Sequence, residues 1–420
     1  MKTTILLTLR QPLLPADTGG KVRSLNILSR LAKRASIHAV SFADPVQDAA
    51  AISEMRHLFD SYTTVAWRET EKYSLGFYSE LLASQFGSWP YFLAKCNQPE
   101  FVSTVKSLAA RHRFDLLFAD FLHTAAPLLE FPFKPRVIFQ HNVEYLLRKR
   151  KCEVETNPFR KWVLRNEWTK TYTIESTVCR RFDQVLAVSE DDRQTMERDF
   201  AIDTVSVLPT GVDTEYFTPA ACGTQPGRLA FVGSMDWDPN EDGILWFLRE
   251  VYPRIRAAAP NASLAVVGRN PSSRLRAMAA RYPGVELTGR VAEVRSYLAE
   301  AEVVIVPLRV GGGTRIKIPE AMAMSKAVVS TTIGAEGLPF QNGRELCIAD
   351  EPVNFAEQVI TLLHDRPLRN SIAAAARKVV VEKHSWESVV DKTEQILDEV
   401  LNTVSVRSSS ADDRPSRVCA

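Results

Sequence analysis

The chain has 420 residues, of which 45% are hydrophobic and 24% charged, and its formal net charge is +2. This length allows two or three globular domains, and the charge balance excludes nucleic-acid binding through a strongly basic domain. The apolar run at the N-terminus is too short for a signal peptide, and no stretch approaches the roughly 18 apolar residues of a membrane span. Six scattered cysteines without CxxC pairing are typical of a cytosolic protein with reduced thiols.

Short apolar runs alternate with helical patterns along the whole chain. In the first half they predict strands at Ile5–Leu9, Ile37–Phe42, Thr63–Trp67, Leu116–Ala119, Val137–Gln140 and Gln184–Val188. In the second half they predict strands at Arg228–Val232, Ser263–Val267, Val285–Leu287, Val303–Pro307 and Ala327–Ser330. Short apolar strands separated by helices indicate parallel sheets covered on both faces. Two such series predict an α/β protein of two doubly wound, Rossmann-like domains, with the active site expected in the cleft between them.

Turn residues and a stretch containing glycine and proline near the middle of the chain indicate the domain boundary. Apolar spacing after Trp386 predicts a last helix, and the polar composition beyond it predicts disorder. The predicted segments are an N-terminal domain (1–208), a linker (209–227), a C-terminal domain (228–384), a helix that packs back toward the N-terminal domain (385–403) and a disordered tail (404–420).

Two adjacent glycines, Gly19 and Gly20, follow the first predicted strand, between Asp17 and Lys21. A helical pattern begins directly after them, at Val22. Glycines here let the backbone come close to a ligand, although the spacing is not the GxGxxG of a dinucleotide site. The motif predicts a ligand-contacting loop, and a plain tight turn is the alternative.

A histidine, His141, follows the fifth predicted strand, and Asn142 and Glu144 come next. An isolated histidine is more often structural than functional. Ligands of open parallel sheets, however, bind beyond the carboxyl ends of the strands, which favours a functional role for His141. His123 follows the fourth predicted strand and is a weaker candidate of the same kind.

Gly233 and Ser234 follow the first predicted strand of the second half and lead into Asp236 and Asp238. A D-x-D pair can hold a divalent cation against a diphosphate, but such pairs are common by chance. We interpret Asp238 instead as the cap of the next helix, with Pro239 at its first position, and we expect no metal.

The most informative segment lies between the strand that ends at Pro307 and a helix predicted from Pro319. Within it, three glycines and a threonine are followed by two cations, namely Gly311, Gly312, Gly313, Thr314, Arg315 and Lys317. Glycine amides, cations and a helix start together suit a diphosphate, whereas Glu320 in the first helical turn suits a sugar hydroxyl. The segment predicts a nucleotide-sugar site, and a flexible surface loop is the alternative.

A basic stretch over 145–182 carries ten cations and four acids, with Phe159, Trp162 and Trp168 between them. This pattern predicts either a helix that contacts a membrane surface or a solvated helix face beside a core.

Together these motifs resemble those of retaining glycosyltransferases with the GT-B fold, of the family 4 (group 1) type. The resemblance covers roughly residues 3–403 and is carried by Ala16–Lys21, His141–Glu144, Ala187–Ser189, Pro209–Asp213, Phe231–Ser234, Leu287–Val291 and Glu320–Ala323. In detail the chain is similar to a subgroup associated with exopolysaccharide and exosortase gene systems.

The resemblance implies roles for individual residues. The catalytic group would be His141, Arg315, Lys317 and Glu320. Donor binding would involve Gly19, Gly20, Gly233, Ser234, Arg290, Val291, Gly311, Gly312, Gly313 and Thr314. On the acceptor side would lie Asp17, Lys21, Asn142 and Glu144. In this arrangement Arg315 and Lys317 would contact the diphosphate, Glu320 would contact the ribose and Arg290 would flank the base.

Two departures from the family pattern matter. Many members carry two glutamates with seven residues between them; here Glu320 is the second, and Gly312 occupies the place of the first. Many members also place Arg and Lys shortly after the strand that precedes Gly233, where this chain has no cation. We therefore expect Arg315 and Lys317 to be the main diphosphate cations, and the identity of the sugar does not carry over.

The resulting expectation is an enzyme that moves a hexose from a nucleotide diphosphate sugar to a hydroxyl of a glycan or lipid-linked acceptor in surface polysaccharide biosynthesis. It would need no metal or cofactor, since cations stabilise the leaving group. It would be cytoplasmic and peripheral to the membrane, which it would contact through 145–182. The alternatives are a GT-B-fold sugar-nucleotide epimerase and a catalytically silent module that binds nucleotide or glycan.

Overall fold

The computed structural model describes residues 2–71, 74–220, 223–310 and 316–412, with side chains as far as residue 404. By their internal contacts these residues form two compact units. The first unit contains Met1–Pro209 and the chain from Val390 onward, and the second contains Thr210–Val389. Each unit is built on one parallel sheet, so the predicted α/β class with two Rossmann-like domains is confirmed.

The strands of the first unit are β1 (Thr4–Leu9), β2 (Ser36–Ala43), β3 (Ser61–Ala66), β4 (Leu116–Asp120), β5 (Arg136–Phe139), β6 (Gln184–Ala187) and β7 (Val205–Val207). Its helices are α1 (Gly19–Leu31), α2 (Ala49–Leu58), α3 (Leu75–Phe86), α4 (Tyr91–Ala94), α5 (Pro99–Arg111), α6 (Leu122–Ala125), α7 (Glu144–Val154), α8 (Pro158–Arg181) and α9 (Glu190–Phe200), with a 3₁₀ turn at Ala126–Leu128. The sheet order is β3-β2-β1-β4-β5-β6-β7.

This order places β1 next to both β2 and β4, so the chain changes direction across the sheet at β1, as in a doubly wound fold. Strands β4 and β5 are buried along their whole length, because helices cover the sheet. Phe42 of β2 stacks on Phe101 of α5 with ring centroids 4.5 Å apart. Burial of such a ring contributes about 1.5–3 kcal/mol to stability.

The strands of the second unit are β8 (Arg228–Val232), β9 (Ser263–Val267), β10 (Val285–Gly289), β11 (Val303–Val306), β12 (Ala327–Ser330) and β13 (Cys347–Ile348). Its helices are α10 (Asp238–Trp246), α11 (Tyr252–Ala258), α12 (Ser273–Ala279), α13 (Arg295–Glu300), α14 (Lys317–Ala323), α15 (Pro352–His364) and α16 (Arg366–His384), with a π-helical turn at Phe247–Val251. The sheet order is β10-β9-β8-β11-β12-β13, and Phe231, Phe247 and Phe355 lie in its core.

Helix α17 (Trp386–Asp412) begins in the second unit and continues in the first. At its start Trp386 packs so closely on Gly211 that a β-carbon there would lie 2.3 Å from the indole ring. Further along, Asp391 and Glu394 pair with Arg34, which follows α1, at 2.6 and 2.5 Å. The helix extends past residue 403 into the region where the sequence predicts disorder, and residues 413–420 lie outside the described chain.

Every predicted strand is present, with ends that differ by at most two residues. The short strands β7 and β13 were not predicted, because two or three residues carry no measurable periodicity. Helix starts were less well predicted. Helix α1 begins at Gly19 instead of Val22, since Thr18 caps it by accepting from the Lys21 N–H, so Gly19 and Gly20 lie in the first helical turn and not in a loop.

Two further helix starts differ from the prediction. Trp237, and not Asp238, is the cap of α10, so Asp238 is the first helical residue and Pro239 the second. Proline is tolerated there because N–H groups of the first turn have no partner within the helix. Helix α14 begins at Lys317, two residues before the predicted Pro319, which places the Lys317 side chain at the very start of the helix.

Candidate active site

In the first unit a buried polar cluster lies where β4 and β5 end. His141, just beyond β5, places Nε2 at 2.8 Å from Oδ1 of Asp120, the last residue of β4. Ser24 of α1 donates its hydroxyl to the other oxygen of Asp120 at 2.8 Å. Arg23 of the same helix donates Nη1–H to Nδ1 of His141 at 3.2 Å. Arg23, Ser24 and Asp120 are 1% exposed and His141 is 5% exposed.

These contacts define the protonation state of His141. A guanidinium group can only donate, so Nδ1 of His141 is the acceptor of the hydrogen bond from Arg23. Nε2 of His141 therefore carries the proton and donates a hydrogen bond to Asp120. Burial lowers the pKa of His141, with the charge of Asp120 acting in the opposite direction. Burial also lowers the pKa of Arg23, to about 10, which leaves it cationic at neutral pH. His141 is therefore a neutral, fully engaged imidazole.

The ring of Phe121 is a second element that holds His141 in place. The two rings are stacked with centroids 3.8 Å apart and planes 10° apart. Phe121 has φ of 71°, a strained value for a residue with a side chain, which the buried stack maintains. A β-carbon on Gly20 would lie 2.8 Å from Cζ of Phe121, so glycine is needed there to let α1 pack against the ring.

A buried carboxylate fixes the loop that carries His141. Glu175 of α8 accepts the backbone N–H groups of Glu144 and Tyr145, each at 2.8 Å, and the side-chain amide of Gln140 at 3.2 Å. Burial raises the pKa of Glu175 to about 8, and the two backbone donors oppose that rise. The loop is thus tied to α8 on both sides of His141.

The predicted acceptor-side residues lie on two segments, around the start of α1 and around the start of α7. Lys21 pairs with Asp17 at 3.3 Å on the surface. The carboxylate of Glu144 forms an ion pair at 2.6 Å with Arg148, one turn further along α7, and so stabilises that helix. Asn142 is half-buried.

The weaker candidate, His123, is buried against Phe92 with ring centroids 5.1 Å apart. Its Nδ1 has no hydrogen-bond partner among the described residues. Burial holds the pKa of His123 well below its usual value.

In the second unit a cation lies directly over the glycine that follows β8. Nζ of Lys317 donates to Oδ1 of Asn240 at 2.7 Å and lies 4.4 Å from the ring centroid of Phe231. A β-carbon on Gly233 would be 2.7 Å from that Nζ and 2.7 Å from Nδ2 of Asn240. The absence of a side chain at Gly233 is what leaves room for the ammonium group beside bare backbone.

A second cation reaches the same edge from the neighbouring strand. Val232 of β8 is in register with Val267 of β9, so the loops after them emerge side by side. Nε of Arg269 donates to the hydroxyl of Ser234 at 2.9 Å and pairs with Asp236 at 3.1 Å. Arg269 thus supplies a cation beyond β8 that the sequence analysis did not identify, because only the sheet order brings the two loops together.

The remaining donor-side predictions lie around this edge. Arg290 and Val291 directly follow β10, the neighbour of β9, where Arg290 is exposed and Val291 half-buried. Glu320 is a half-buried residue in the first turn of α14, and burial raises its pKa to about 7 while Lys317 lowers it. The predicted sites Gly311, Gly312, Gly313, Thr314 and Arg315 lie outside the described residues.

The cluster of the first unit also contains residues that the sequence analysis missed. Arg23, Ser24, Asp120 and Phe121 carry no motif, but each stands at a strand end or in the first turns of α1. That position was the available signal, since ligands of such sheets bind beyond the carboxyl ends of the strands.

A cavity of about 630 Å³ opens beside β3 in the first unit. Its walls combine aromatic and charged side chains, among them Trp67, Glu80, Trp89, Tyr91 and Lys95. Its volume lies within the range of about 300–1,000 Å³ that is usual for small-molecule sites. No helix of the described residues is long and apolar enough to cross a membrane.

Two family models match the chain. Residues 18–216 match the model described as Glycosyltransferase Family 4, and residues 226–365 match the one described as Glycosyl transferases group 1. The fold and these two matches identify the chain as a glycosyltransferase with the GT-B fold. The chain is built from the family 4 and group 1 domains of that class, which confirms this part of the resemblance.

Curated relatives are distant. An uncharacterized 44.6 kDa protein in the cps region of Klebsiella pneumoniae is 23% identical over 263 residues, 61% of this chain and 66% of its own length. A GDP-mannose-dependent monoacylated alpha-(1-6)-phosphatidylinositol monomannoside mannosyltransferase of Corynebacterium glutamicum is 27% identical over 213 residues, 45% of this chain and 55% of its own. The chain therefore spans less than two thirds of the length of either relative.

Solved structures share the fold over almost the whole chain. A glycosyltransferase from Rickettsia africae is 13% identical with a TM-score of 0.64, covering 95% of this chain and 99% of its own. HepE of Anabaena, solved in complex with UDP and glucose, is 13% identical with a TM-score of 0.63, covering 94% and 100%. At such identities the likeness concerns the fold alone.

Proposed function

We propose that the protein transfers a hexose from a nucleotide diphosphate sugar to a hydroxyl of a glycan or lipid-linked acceptor, with retention of configuration. Its setting would be surface polysaccharide synthesis at the cytoplasmic face of a membrane. The observation that carries the proposal is the ammonium group of Lys317, held by Asn240 over the bare backbone of Gly233. A fixed cation beside a glycine without a side chain at the end of a parallel strand suits a diphosphate.

Stabilisation of the departing nucleotide diphosphate is the main catalytic task. Negative charge grows on the diphosphate as the glycosidic bond breaks, and preorganised donors at that position lower the barrier. Lys317 is such a donor, and Arg269 is a further described cation at this edge of the sheet. Each donor of this kind contributes about 2.7–4 kcal/mol to transition-state stabilisation. Arg315 keeps its predicted role as a further diphosphate ligand.

His141 acts in this proposal as a positioning group for the donor sugar. Its Nδ1 accepts a hydrogen bond from Arg23 and its Nε2–H donates one to Asp120, so neither nitrogen is available as a strong base. The stack on Phe121 fixes the ring plane. Because both nitrogens are engaged, His141 would position the donor sugar indirectly, by holding the guanidinium of Arg23 and the ring of Phe121 in place, while the cations of the diphosphate site lower the barrier.

The donor is proposed to be a UDP- or GDP-hexose. HepE of Anabaena was solved with UDP and glucose, and the Corynebacterium relative is named as GDP-mannose-dependent, so the relatives support a hexose but differ in the base. Glu320 would accept the ribose hydroxyls, and Arg290 and Val291 would flank the base. Gly312 stands where other members contact the sugar, so the sugar must be selected by other residues.

We place the acceptor saccharide in the cavity beside β3. The indole rings of Trp67 and Trp89 supply apolar surface for the C–H groups of a sugar, and Glu80 and Lys95 supply partners for its hydroxyls. Glu80 and Lys95 lie 3.6 Å apart, so a hydroxyl group could bind to both.

The deciding experiment has two stages. A thermal-shift screen against UDP- and GDP-hexoses identifies the donor, because a ligand at 100 times its dissociation constant stabilises a protein by roughly 2.7 kcal/mol. The chosen donor is then incubated with and without an acceptor panel. Acceptor-dependent release of nucleotide diphosphate, lost in Lys317→Ala, supports the proposal. Conversion of the donor alone would indicate an epimerase, and binding without turnover would indicate a silent module.

A further inference from the structure

Helix α3 carries a stripe of apolar side chains on its outer face. Leu75, Tyr78, Leu82 and Phe86 are spaced three or four residues apart, so they lie on one side of the helix. Their exposed fractions are 91%, 53%, 58% and 84%. A contiguous apolar helix face of this kind in contact with water marks an interaction surface.

The inner face of α3 is fixed to α8, so the stripe cannot turn away from solvent. Gln85 donates its side-chain amide to Glu167 at 3.0 Å, and Lys170 donates to the carbonyl of Ser84 at 2.7 Å. Ser84, Gln85 and Glu167 are all buried. Rotation of α3 would leave these buried polar groups without hydrogen-bond partners, which is unfavourable in a protein interior.

The first turns of α8 extend this surface with aromatic and cationic side chains. Phe159 and Trp162 are 69% and 52% exposed, and Asn166, one turn beyond Trp162, donates to the carbonyl of Gln85 at 3.0 Å. The exposed cations at the end of α7 and the start of α8 are Arg150, Lys151, Arg160, Lys161 and Arg165. None of these five cations forms an ion pair within 4.0 Å with a carboxylate of the described residues. The acids between the two helix ends are Glu153 and Glu155.

We propose that the α3 stripe and the turn between α7 and α8 together bind the surface of a membrane that contains anionic lipids. Leucine, phenylalanine and tryptophan side chains enter the boundary between headgroups and acyl chains, and the cations beside them bind lipid phosphates. Charge complementarity selects this occupant, because a purely apolar protein partner would gain nothing from five unpaired cations. The basic stretch predicted from the sequence is thus only part of the surface, and the inserting element is α3.

This surface deepens the proposed function and rests on it in one respect. Glu80 and Ser84 of α3 line the cavity assigned to the acceptor saccharide, so a membrane bound to the outer face of α3 would hold the lipid of the acceptor close to that cavity. Membrane binding itself can be measured without donor or acceptor.

The test is co-sedimentation of the full chain with phosphatidylcholine vesicles, with and without phosphatidylglycerol. We expect binding only when phosphatidylglycerol is present. The double variants Leu82→Ser/Phe86→Ser and Lys161→Gln/Arg165→Gln should each bind about tenfold more weakly or worse, since each removes two groups that would contact the lipid interface. The matched controls Val353→Ser/Leu368→Ser and Lys378→Gln/Lys383→Gln, which change exposed residues of the second unit, should bind like the wild type.

Each outcome decides the matter. Failure of the wild type to bind vesicles, or equal binding by Leu82→Ser/Phe86→Ser, overturns the proposal. Concentration-dependent self-association that this variant abolishes, without vesicle binding, would identify the stripe as a protein interface and also overturn it. Circular dichroism checks that the variants fold. Vesicle binding without any transfer activity would contradict the proposed function and leave the membrane surface intact.

Discussion

Nζ of Lys317 lies 2.7 Å from the point that a β-carbon on Gly233 would occupy, although 84 positions of chain separate the two residues. The strand β8, which precedes Gly233, and β11, which precedes the Lys317 segment, are neighbours in the sheet. The carboxyl ends of these two strands therefore lie side by side. Because Gly233 has no side chain, the ammonium group of Lys317 lies against its backbone. This contact is the centre of the proposed diphosphate site.

The substitution Gly233→Ala tests that contact directly. The atoms nearest to the new methyl group belong to the side chains of Lys317 and Asn240, and the long Lys317 side chain can move aside, so the melting temperature should change little. The displaced ammonium group should lower kcat/KM by about 100-fold, as small misplacements of catalytic groups do. Steady-state kinetics with the identified donor measure this. Gly223→Ala is the control, because nothing lies within 4 Å of a β-carbon there; equal activity of the two variants would contradict the assignment.

The charge of Lys317 should matter more to turnover than to donor binding. Lys317→Met keeps much of the side-chain volume over Phe231 but removes the cation, so kcat should fall by about 10²–10³-fold, the usual effect of losing one donor to a developing charge. KM for the donor should change less. Rapid-quench measurement of a single turnover separates the chemical step from product release. The exposed Lys378→Met serves as the control; an unchanged kcat in Lys317→Met would rule out leaving-group stabilisation by this residue.

Much of this site could be anticipated from the order of residues. Most strands were predictable because their apolar runs are largely buried, and Gly233, His141 and Lys317 were found because each follows a strand. Arg269 and Asp120 could not be assigned, because their partners Ser234 and His141 come from other loops and only the sheet order brings them together. The starts of α1 and α14 were missed because Thr18 and Lys317 extend helices by less than one turn, below the resolution of periodicity.

His141 should behave as a positioning group and not as a general base. His141→Gln retains an amide that can accept from Arg23 and donate to Asp120, so kcat should fall by no more than about tenfold, whereas loss of a general base costs about 10²–10⁴-fold. KM for the donor should rise. The pH profile of kcat should keep its shape in the variant. A kcat loss of the larger size, together with loss of the acidic limb of the profile, would identify His141 as the base. Gln140→Asn, at the neighbouring buried amide, controls for general disturbance of the loop.

Glu320 should make nucleotide affinity depend on pH. Burial raises the pKa of Glu320 to about 7 in the free protein, and only its ionised form can accept from both ribose hydroxyls. Affinity for the nucleotide diphosphate should therefore rise between pH 6 and 8, by up to about tenfold for each unit below the pKa. Isothermal titration calorimetry at several pH values measures it, and Glu320→Gln should show a flat profile. A persistent slope in that variant would assign the effect to another group.

The same shift has a consequence for stability in the absence of ligand. The pKa of Glu320 is higher in the folded chain than its ordinary value of 4.5, so the folded state binds more protons between these two values. The contribution of Glu320 to the free energy of unfolding should consequently fall as pH rises from about 4.5 to 7. Glu320→Gln should lose this dependence, as comparison of the two urea-unfolding curves across that pH range would reveal.

Transfer should not require a divalent cation. Asp236, the first carboxylate of the D-x-D pair, accepts a hydrogen bond from Ser234 and forms an ion pair with Arg269 at 3.1 Å. Its negative charge therefore already holds the Arg269 guanidinium in place. Prior treatment with EDTA, followed by assay in metal-free buffer, should leave kcat within about twofold, because protein cations supply the leaving-group stabilisation. Asp238→Asn should likewise retain activity, whereas Asp236→Asn should lose part of it by releasing Arg269. Recovery of a lost activity by Mg²⁺ or Mn²⁺ after EDTA would show that the D-x-D pair binds metal after all.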